Sequence, residues 1–476
     1  MIASPLPQVL GTGILHLGLG AFHRAHQAAY TQDAIAAEGG DWGIEAVAMR
    51  NPVLAEVLTK QGGRFTLIER HSEGPKLLDM TVIRKAWVLQ GNAVLLSDRM
   101  ADPTIHIVTI TVTEKGYGAD IGARKLDRAD LAIAHDLSQP DAPRQSLIGH
   151  LVAGLAARKD AGLGGLTLMS CDNLPENGAL LSALVLEFAQ HVGPDLAKWI
   201  EQKCRFPSSM VDRITPAASD ETFSIAENAL GRPDRAAIET EPFRQWVIED
   251  CFAGPRPAWE AAGAQIVADV APFEAMKLRL LNGAHSLIAY LGALAGKQAV
   301  RDVMADADLR SVVRAHMALA AQTLAHGPAL DPDSYADALI ERFANPAIDH
   351  RCLQIAMDGS QKLPQRIFTP ARLQLDNARR IGTFALATAA WIRFAEKSQT
   401  QGQLPPLIDP MADDIRAAFA TTGTDPDARV AALAGLTGLA HEGLLTHADF
   451  SHCVAKLLMQ LERDGVVAAA RAAMDV

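Results

Sequence analysis

Residues 13–20 read GILHLGLG, a short apolar run ending in G-x-G, and AFHRAHQAAYTQDAIAAEG follows at once with helix-like spacing of its apolar residues. A strand that turns sharply into a helix is the first half of a βαβ unit, which constrains the first part of this chain more than any other feature. Such a turn lets backbone approach a pyrophosphate, and the helix N-terminus offers N–H groups and a positive dipole end. The third glycine of the dinucleotide fingerprint is absent, so the motif alone also fits an ordinary strand-to-helix turn. The next apolar strand, GIEAVAM at 43–49, begins about 23 residues after Gly20, as a second Rossmann strand would. It ends in Arg50-Asn51-Pro52 rather than in a carboxylate for a ribose hydroxyl. Arg50 is then either a partner for a 2′-phosphate or a solvated loop charge.

The pattern continues through Phe65–Glu69, Asp79–Ile83 and the β-branched run IHIVTITVT at 105–113, which reads as a buried central strand. A glycine-bearing loop, residues 114–118, follows it. Ligands in open parallel sheets bind beyond the carboxyl ends of the strands, so this loop is either a lip of a nicotinamide pocket or a plain turn. Helical spacing covers 146–159, and GLTLMS at 165–170 is another strand, ending in Cys171-Asp172-Asn173. Asn173 is placed to offer an amide to a substrate oxygen, with a simple turn as the alternative; Asn177-Gly178 reads as a turn. Helical pattern resumes over 178–203, and the proline-bounded segment 206–216 carries the neighbours Asp212 and Arg213, a pairing usually found at surfaces or in structural roles. The domain junction falls near 265–272, which predicts an α/β Rossmann-type domain over 1–268 and a mainly α-helical domain over 269–476. Proline loops at 327–332, 402–410 and 423–426 punctuate the second domain.

A chain of 476 residues exceeds what one hydrophobic core serves, so two domains are expected. Net charge is −11 with no Lys/Arg block, which argues against nucleic acid as a partner. Five scattered cysteines without a C-x-x-C pair indicate neither a disulfide framework nor a cysteine zinc site, and they suit a reducing cytoplasm. The start, MIASPLPQVLGTG, lacks the basic opening and apolar core of a signal peptide. The longest apolar run, 280–296, is interrupted by Asn282 and His285 and falls short of the roughly 20 residues of a bilayer span. No membrane association is expected, and a monomer or small homo-oligomer acting on a small molecule is.

The stretch PFEAMKLRLLNGAHSLIAY at 272–290 carries three polar residues on an apolar helical pattern, Lys277, Asn282 and His285. At about 100° per residue, Asn282 lies roughly 140° and His285 roughly 80° round the helix from Lys277, so all three can face one pocket. Burial would penalise the charged amine and make Lys277 a usable base near neutral pH. The plainer reading is a core helix over 273–294 whose Asn282 and His285 bond nearby backbone while Lys277 snorkels to water. QIAMDGSQKLPQR at 354–366 stands out in the second domain: Asp358-Gly359 turns the chain, and Lys362 and Arg366 supply positive charge or solvate a loop. The H-x-x-H of His23 and His26 has a spacing that can share a cation, but no acidic or cysteine partner is near, and no metal is expected.

Six motifs in order, GLGAFHRAH at 18–26, TVTEKGY at 111–117, SCDN at 170–173, MVDRI at 210–214, KLRLLNGAHS at 277–286 and DGSQK at 358–362, resemble the long-chain mannitol dehydrogenase family over nearly the whole chain. The resemblance implies a zinc-independent dehydrogenase of polyols or sugar acids that uses NAD, with NADP left open, and a site to which both domains contribute. It implies that Lys277 is the general base, Asn173 and Asn282 the oxyanion-stabilising amides and His285 the residue orienting the reactive oxygen. Glu274 matches a position associated with proton exit, and Asp212 a carboxylate beside the lysine. Cofactor contacts are implied for Gly18, Gly20, Ala21, Phe22, Arg24, Arg50 and Thr111. Lys362 matches a substrate-contacting position, while Gln354 stands where polyol-oxidising members tend to have arginine, a departure from free mannitol. The wording of 354–366 and EPFRQWVIED at 241–250 is most similar to the fructuronate reductase branch, with Lys362, Arg366 and Arg279 as candidate cations for a substrate carboxylate. A mannitol or arabinitol 2-dehydrogenase is the rival within enzymes, and a non-catalytic nucleotide-binding sensor the rival outside them.

Overall fold

A computed structural model of the chain describes residues 10–476 apart from 326, 328, 329, 401 and 403. Most of the N-terminal stretch, and parts of the proline loops at 327–332 and 402–410, lie outside the described residues. The chain divides into two compact units, Met1–Ala271 and Pro272–Val476.

The first unit contains strands β1 (Thr12–Leu17), β2 (Gly43–Ala48), β3 (Phe65–His71), β4 (Gly74–Met80), β5 (Ile83–Val88), β6 (Ile107–Ile110), β7 (Ala119–Asp120), β8 (Lys125–Leu126), β9 (Thr167–Ser170), β10 (Ser209–Asp212), β11 (Ile238–Thr240), β12 (Gln245–Glu249) and β13 (Gln265–Val267). Five of them form a parallel sheet in the order β5-β2-β1-β6-β9. Its central strands are buried on both sides, as parallel strands covered by helices must be. Leu15, Leu17, Val108 and Leu168 enter one core, and Ile14, Ala46, Ile107 and Met169 enter another. The sheet grows from β1 toward β2 on one side and toward β6 on the other, so the end of β1 is the topological switch point where such sheets bind ligands. The hairpin β3–β4 with β11 makes a second sheet, and β10-β12-β13 a third.

Several sequence boundaries shift. The run 79–83 spans the end of β4 and the start of β5, and only Ile107–Ile110 of the 105–113 run pairs as strand. The helix expected over 178–203 is two helices, Asn177–Val192 and Pro194–Lys203, broken at Gly193, where proline opens the second. Arg213 is a buried tie. Its guanidinium donates to Glu69 Oε1 at 2.7 Å, to the Ala25 carbonyl at 2.6 Å and to the Glu241 carbonyl at 3.0–3.1 Å, joining β3, the helix Ala21–Ala25 and the turn after β11.

The second unit is helical, with no named strand among its described residues and one isolated bridge between Ala299 and Arg351. Its axis is Gly283–Leu294, buried from Gly283 through Ala293 and packed against Gly382–Gln399, Cys352–Ile355 and Val300–Met304. A helix apolar all round has to be enclosed in this way. No helix among the described residues is long and apolar enough to cross a membrane.

Breaking a buried ion pair by removing one partner strands the other charge and costs about 3–5 kcal/mol. Arg213→Met is therefore expected to lower the free energy of unfolding by about that amount in urea titration, and a loss under about 1 kcal/mol would contradict the role given to this tie.

Candidate active site

In the first unit, the G-x-G turn closes β1. Gly18 has φ +103°, and a Cβ there would stand 1.8 Å from the Thr111 carbonyl oxygen, so no other residue fits. Thr111 Oγ1 donates to the Gly18 carbonyl at 2.9 Å and meets His16 Nε2 at 3.0 Å. With its one proton committed to Gly18, that hydroxyl accepts from His16 Nε2–H, and His16 Nδ1 accepts from Thr109 Oγ1 at 2.9 Å. Burial lowers the His16 pKa to about 3, so the ring stays neutral. Thr111 thus holds the shape of the turn. Gly20 caps the short helix Ala21–Ala25 from extended backbone, with nothing closer to its Cβ position than 3.5 Å. A left-handed glycine at the switch point and an open second glycine fit the pyrophosphate of a dinucleotide.

The polar residues that follow this turn are held by neighbouring protein groups. Arg24, expected at the cofactor, is buried; its Nε donates to the Gly20 carbonyl at 3.1 Å, a second nitrogen donates to the Ala236 carbonyl, and the guanidinium lies over the Phe65 ring. It faces inward because the helix begun at Ala21 turns that position toward β11. Of the H-x-x-H pair, His26 Nε2–H donates to the Gln245 carbonyl at 2.8 Å while Gln27 donates to its Nδ1, and His23 stacks on His16 with ring centres 3.4 Å apart. Among the described residues no group of three or more His, Cys, Asp or Glu side chains is placed to hold a metal. Ala21 and Phe22 open the helix half-buried, Phe22 stacked on His26, and Arg50 stands exposed beyond β2.

Asn173 is exposed on the loop after β9. Its neighbour Asp172 accepts from Tyr117 Oη at 2.5 Å and from the Val112 N–H at 3.1 Å, which ties that loop to the one after β6. Burial pushes the Asp172 carboxyl up to about 6, with those two bonds pulling the other way. Asn177, expected in a plain turn, is fully buried. Its amide donates to the carbonyls of Asp172 at 3.0 Å and Ser209 at 2.8 Å, and its oxygen accepts from the Ser209 N–H at 2.9 Å. This clamp fixes β10, whose last residue is the buried Asp212, against the loop carrying Asn173.

In the second unit, the helix expected to run unbroken over 273–294 is three pieces. Ala271–Met276 is α-helical, Lys277–Asn282 is a π turn, and Gly283–Leu294 is α-helical again. The Gly283 N–H bonds the Leu278 carbonyl, five residues back. Positions i and i+5 thereby become neighbours one turn apart, so Lys277 and Asn282 come closer round the axis than the roughly 140° of an α-helix. Lys277 is buried, and Glu274 is partly buried one turn before it. The Asn282 carbonyl accepts from Ser286 Oγ at 3.2 Å.

His285 is buried, its ring 4.6 Å from Phe343 and edge-on to His350 at 4.9 Å, and Nε2 has no hydrogen-bond partner among the described residues. Burial holds its pKa well below the ordinary value, and His350, Arg342 and Arg366 push the same way, so the imidazole is neutral. The plainer reading, a histidine bonded to neighbouring backbone, is not what this nitrogen shows.

A second π turn, Pro364–Phe368, carries Arg366 and packs against the first. Gly283 sits at the crossing, where a Cβ would be 3.2 Å from the Arg366 carbonyl oxygen. In the DGSQK segment Asp358, not Gly359, takes the left-handed conformation at φ 55°, whereas a Cβ on Gly359 would meet Trp391 Nε1 at 2.2 Å. Asp409 pins the segment by accepting from Ser360 N–H at 2.8 Å and Ser360 Oγ at 2.5 Å, a role no local sequence signal marks. Lys362 donates to the carbonyls of Met357 at 2.5 Å and Ile355 at 3.3 Å, and Gln354 is exposed.

Both units have counterparts among known proteins. Residues 12–261 match the mannitol dehydrogenase Rossmann domain and residues 269–452 the mannitol dehydrogenase C-terminal domain. The chain belongs to the mannitol dehydrogenase family and is an oxidoreductase with a Rossmann-type N-terminal domain and a helical C-terminal domain. It is 44% identical to the D-mannonate oxidoreductase of Escherichia coli (strain K12) over 95% of this chain and 93% of that protein. Among solved structures, a D-sorbitol dehydrogenase in substrate-free form superposes with a TM-score of 0.90 at 30% identity, covering 97% of this chain and 95% of that one. The mannitol 2-dehydrogenase of Pseudomonas fluorescens, in ternary complex with NAD and D-mannitol, gives 0.79 at 32% identity, covering 98% and 95%.

The raised Asp172 pKa has a definite sign. A carboxyl whose folded value lies above its unfolded one contributes stability that is complete below about pH 4 and is lost as pH rises through 6. A rise of that size corresponds to on the order of 3 kcal/mol. Between pH 4 and 7, Asp172→Asn is expected to make the unfolding midpoint fall less with pH than in the parent protein; parallel curves would show that Asp172 does not titrate in this window.

Proposed function

We propose that the chain catalyses NAD-dependent interconversion of the secondary alcohol and ketone of a sugar acid, with D-mannonate and D-fructuronate as the pair. The observation that carries the substrate is the 44% identity to D-mannonate oxidoreductase across 95% of the chain. The reaction class draws support from the π turn, which gathers a buried lysine and an asparagine before a neutral histidine.

NAD, when bound at the turn after β1, supplies the acceptor and donor of hydride. Gly18 and Gly20 give the pyrophosphate its approach, with Ala21 and Phe22 at the helix opening and Arg50 toward the adenosine side. In the oxidation direction Lys277, as the free amine, takes the proton of the substrate hydroxyl. The side-chain amides of Asn173 and Asn282 donate to the developing alkoxide. His285, neutral, orients that oxygen, Asp212 is the carboxylate assigned to the lysine, and Glu274 leads the proton outward. Lys362, Arg366 and Gln354 meet the rest of the sugar chain. Five free thiols, four of them buried, accord with a cytoplasmic setting.

Removing one preorganised oxyanion donor typically lowers kcat by about 10²–10³. Asn282→Ala should do so with a much smaller change in KM for the ketone substrate, and retained turnover would remove the oxyanion role. Fructuronate, tagaturonate, fructose and xylulose, each assayed with NADH and NADPH, separate the readings: fructuronate with NADH is the expected best pair. Highest kcat/KM on fructose or xylulose would favour a polyol dehydrogenase, and no turnover at all a nucleotide-binding sensor.

A further inference from the structure

We infer that Arg366 is the residue that binds the carboxylate of the substrate and so separates sugar acids from neutral sugars; this rests on the sugar-acid reading above. Three cations of the helical unit are candidates from the sequence, and their surroundings differ. Arg279 donates to both the carbonyl of Thr323, at 2.5 Å, and its Oγ1, at 3.0 Å. Lys362 is held by two carbonyls and lies 3.9 Å from the Asp358 carboxylate. Both have their positive charge answered by local acceptors.

Arg366 does not. Its guanidinium is partly buried, and its hydrogen bonds among the described residues are two long contacts from Nη1, each 3.5 Å, to the Asn282 carbonyl and to Ser286 Oγ. No carboxylate stands within ion-pair distance of it among the described residues, whereas Arg301, Arg351, Arg393 and Arg429 of the same unit are each matched to a carboxylate at 2.5–3.3 Å. A planar fork of five donors with two weak acceptors, partly withdrawn from water, is an unfavourable arrangement for the protein alone. It becomes favourable when an anion with two coplanar oxygens arrives, because arginine and carboxylate match in a bidentate geometry.

Its position suits that task. Arg366 sits on the second π turn, which packs against the turn bearing Lys277 and Asn282, and its contact reaches the carbonyl of Asn282 itself. Ser286 lies one turn beyond Asn282 on the same helix face, so the guanidinium lies alongside the stripe that ends in the reacting centre. A substrate whose alcohol carbon is held at Lys277 and Asn282 would bring an acid group at its other end within range of this fork.

The experiment compares the parent enzyme with R366M and R366K, using fructuronate and fructose with NADH, and measures the melting temperature of each protein without substrate. The parent enzyme decides the sugar-acid reading: a kcat/KM for fructose equal to or above that for fructuronate overturns both it and the role of Arg366. Given a preference for fructuronate, truncating one partner of a charge-assisted pair predicts that R366M raises the KM for fructuronate by about 30- to 1,000-fold, with a much smaller effect on kcat. The fructose kcat/KM should fall far less, so that the preference collapses, and R366K should restore part of the fructuronate KM. Because no carboxylate among the described residues matches this charge in the free protein, R366M should melt at the same temperature or higher. Equal losses on both substrates with a lower melting temperature would make Arg366 a structural residue, and an unchanged preference would place the carboxylate elsewhere.

Discussion

The hydrogen bond from Gly283 to the carbonyl five residues back is the constraint on which the proposed chemistry depends. A regular α-helix over the same residues would point Lys277 and Asn282 well apart round the axis, whereas one π turn makes them neighbours. A wide turn inside a buried helix is less favourable than continuous α-helix, and here it is enclosed by the second π turn at Pro364–Phe368. Gly283 makes that contact close by carrying no Cβ, at a cost of about 1 kcal/mol in helix propensity.

The first unit uses a different means to the same end. Its polar loops stand beyond strand ends, where nothing regular holds them, and buried side chains take the place of a ladder. Thr111 and His16 hold the glycine turn, Tyr117 and Asp172 join two loops, and Asn177 clamps β10 under the loop of Asn173. Each of these groups is satisfied inside the protein, which fixes geometry in the absence of substrate. Arg366 and His285 are the opposite case, with donor or acceptor capacity left unmet among the described residues, and that contrast separates residues that shape the site from those proposed to meet the substrate.

Much of the fold is legible in the sequence because the inner parallel strands are largely apolar runs, unlike the edge strand β5 with its Arg84 and Lys85, and the second half of the chain has an alanine- and leucine-rich helical period. The family resemblance rests on motifs that the structure places at strand ends, on the helix that runs from Lys277 through Leu294 and, for DGSQK, on the short helix Gly359–Leu363. What escapes the sequence is long-range or depends on hydrogen-bond register. Periodicity at 100° per residue cannot reveal that the helix widens at Lys277. Asn177-Gly178 and Asp358-Gly359 look like turn dipeptides, yet Asn177 is a buried clamp, and it is Asp358 that takes the left-handed conformation while Gly359 makes room for Trp391. Arg24 belongs to the glycine motif by position, but its direction is set by packing against β11, which lies more than 200 residues away in the chain.

The most direct test is whether Lys277 and Asn282, brought together by the π turn, act on one oxygen as a unit. Catalytic residues that act as a unit are strongly non-additive when both are removed, whereas independent sites add. In a double-mutant cycle on kcat with fructuronate and NADH, Lys277→Met/Asn282→Ala should lose little more than Lys277→Met alone, with each variant keeping the helical circular dichroism and cooperative melting of the parent. Losses that multiply, as for two side chains that never meet at the reacting centre, would contradict the account.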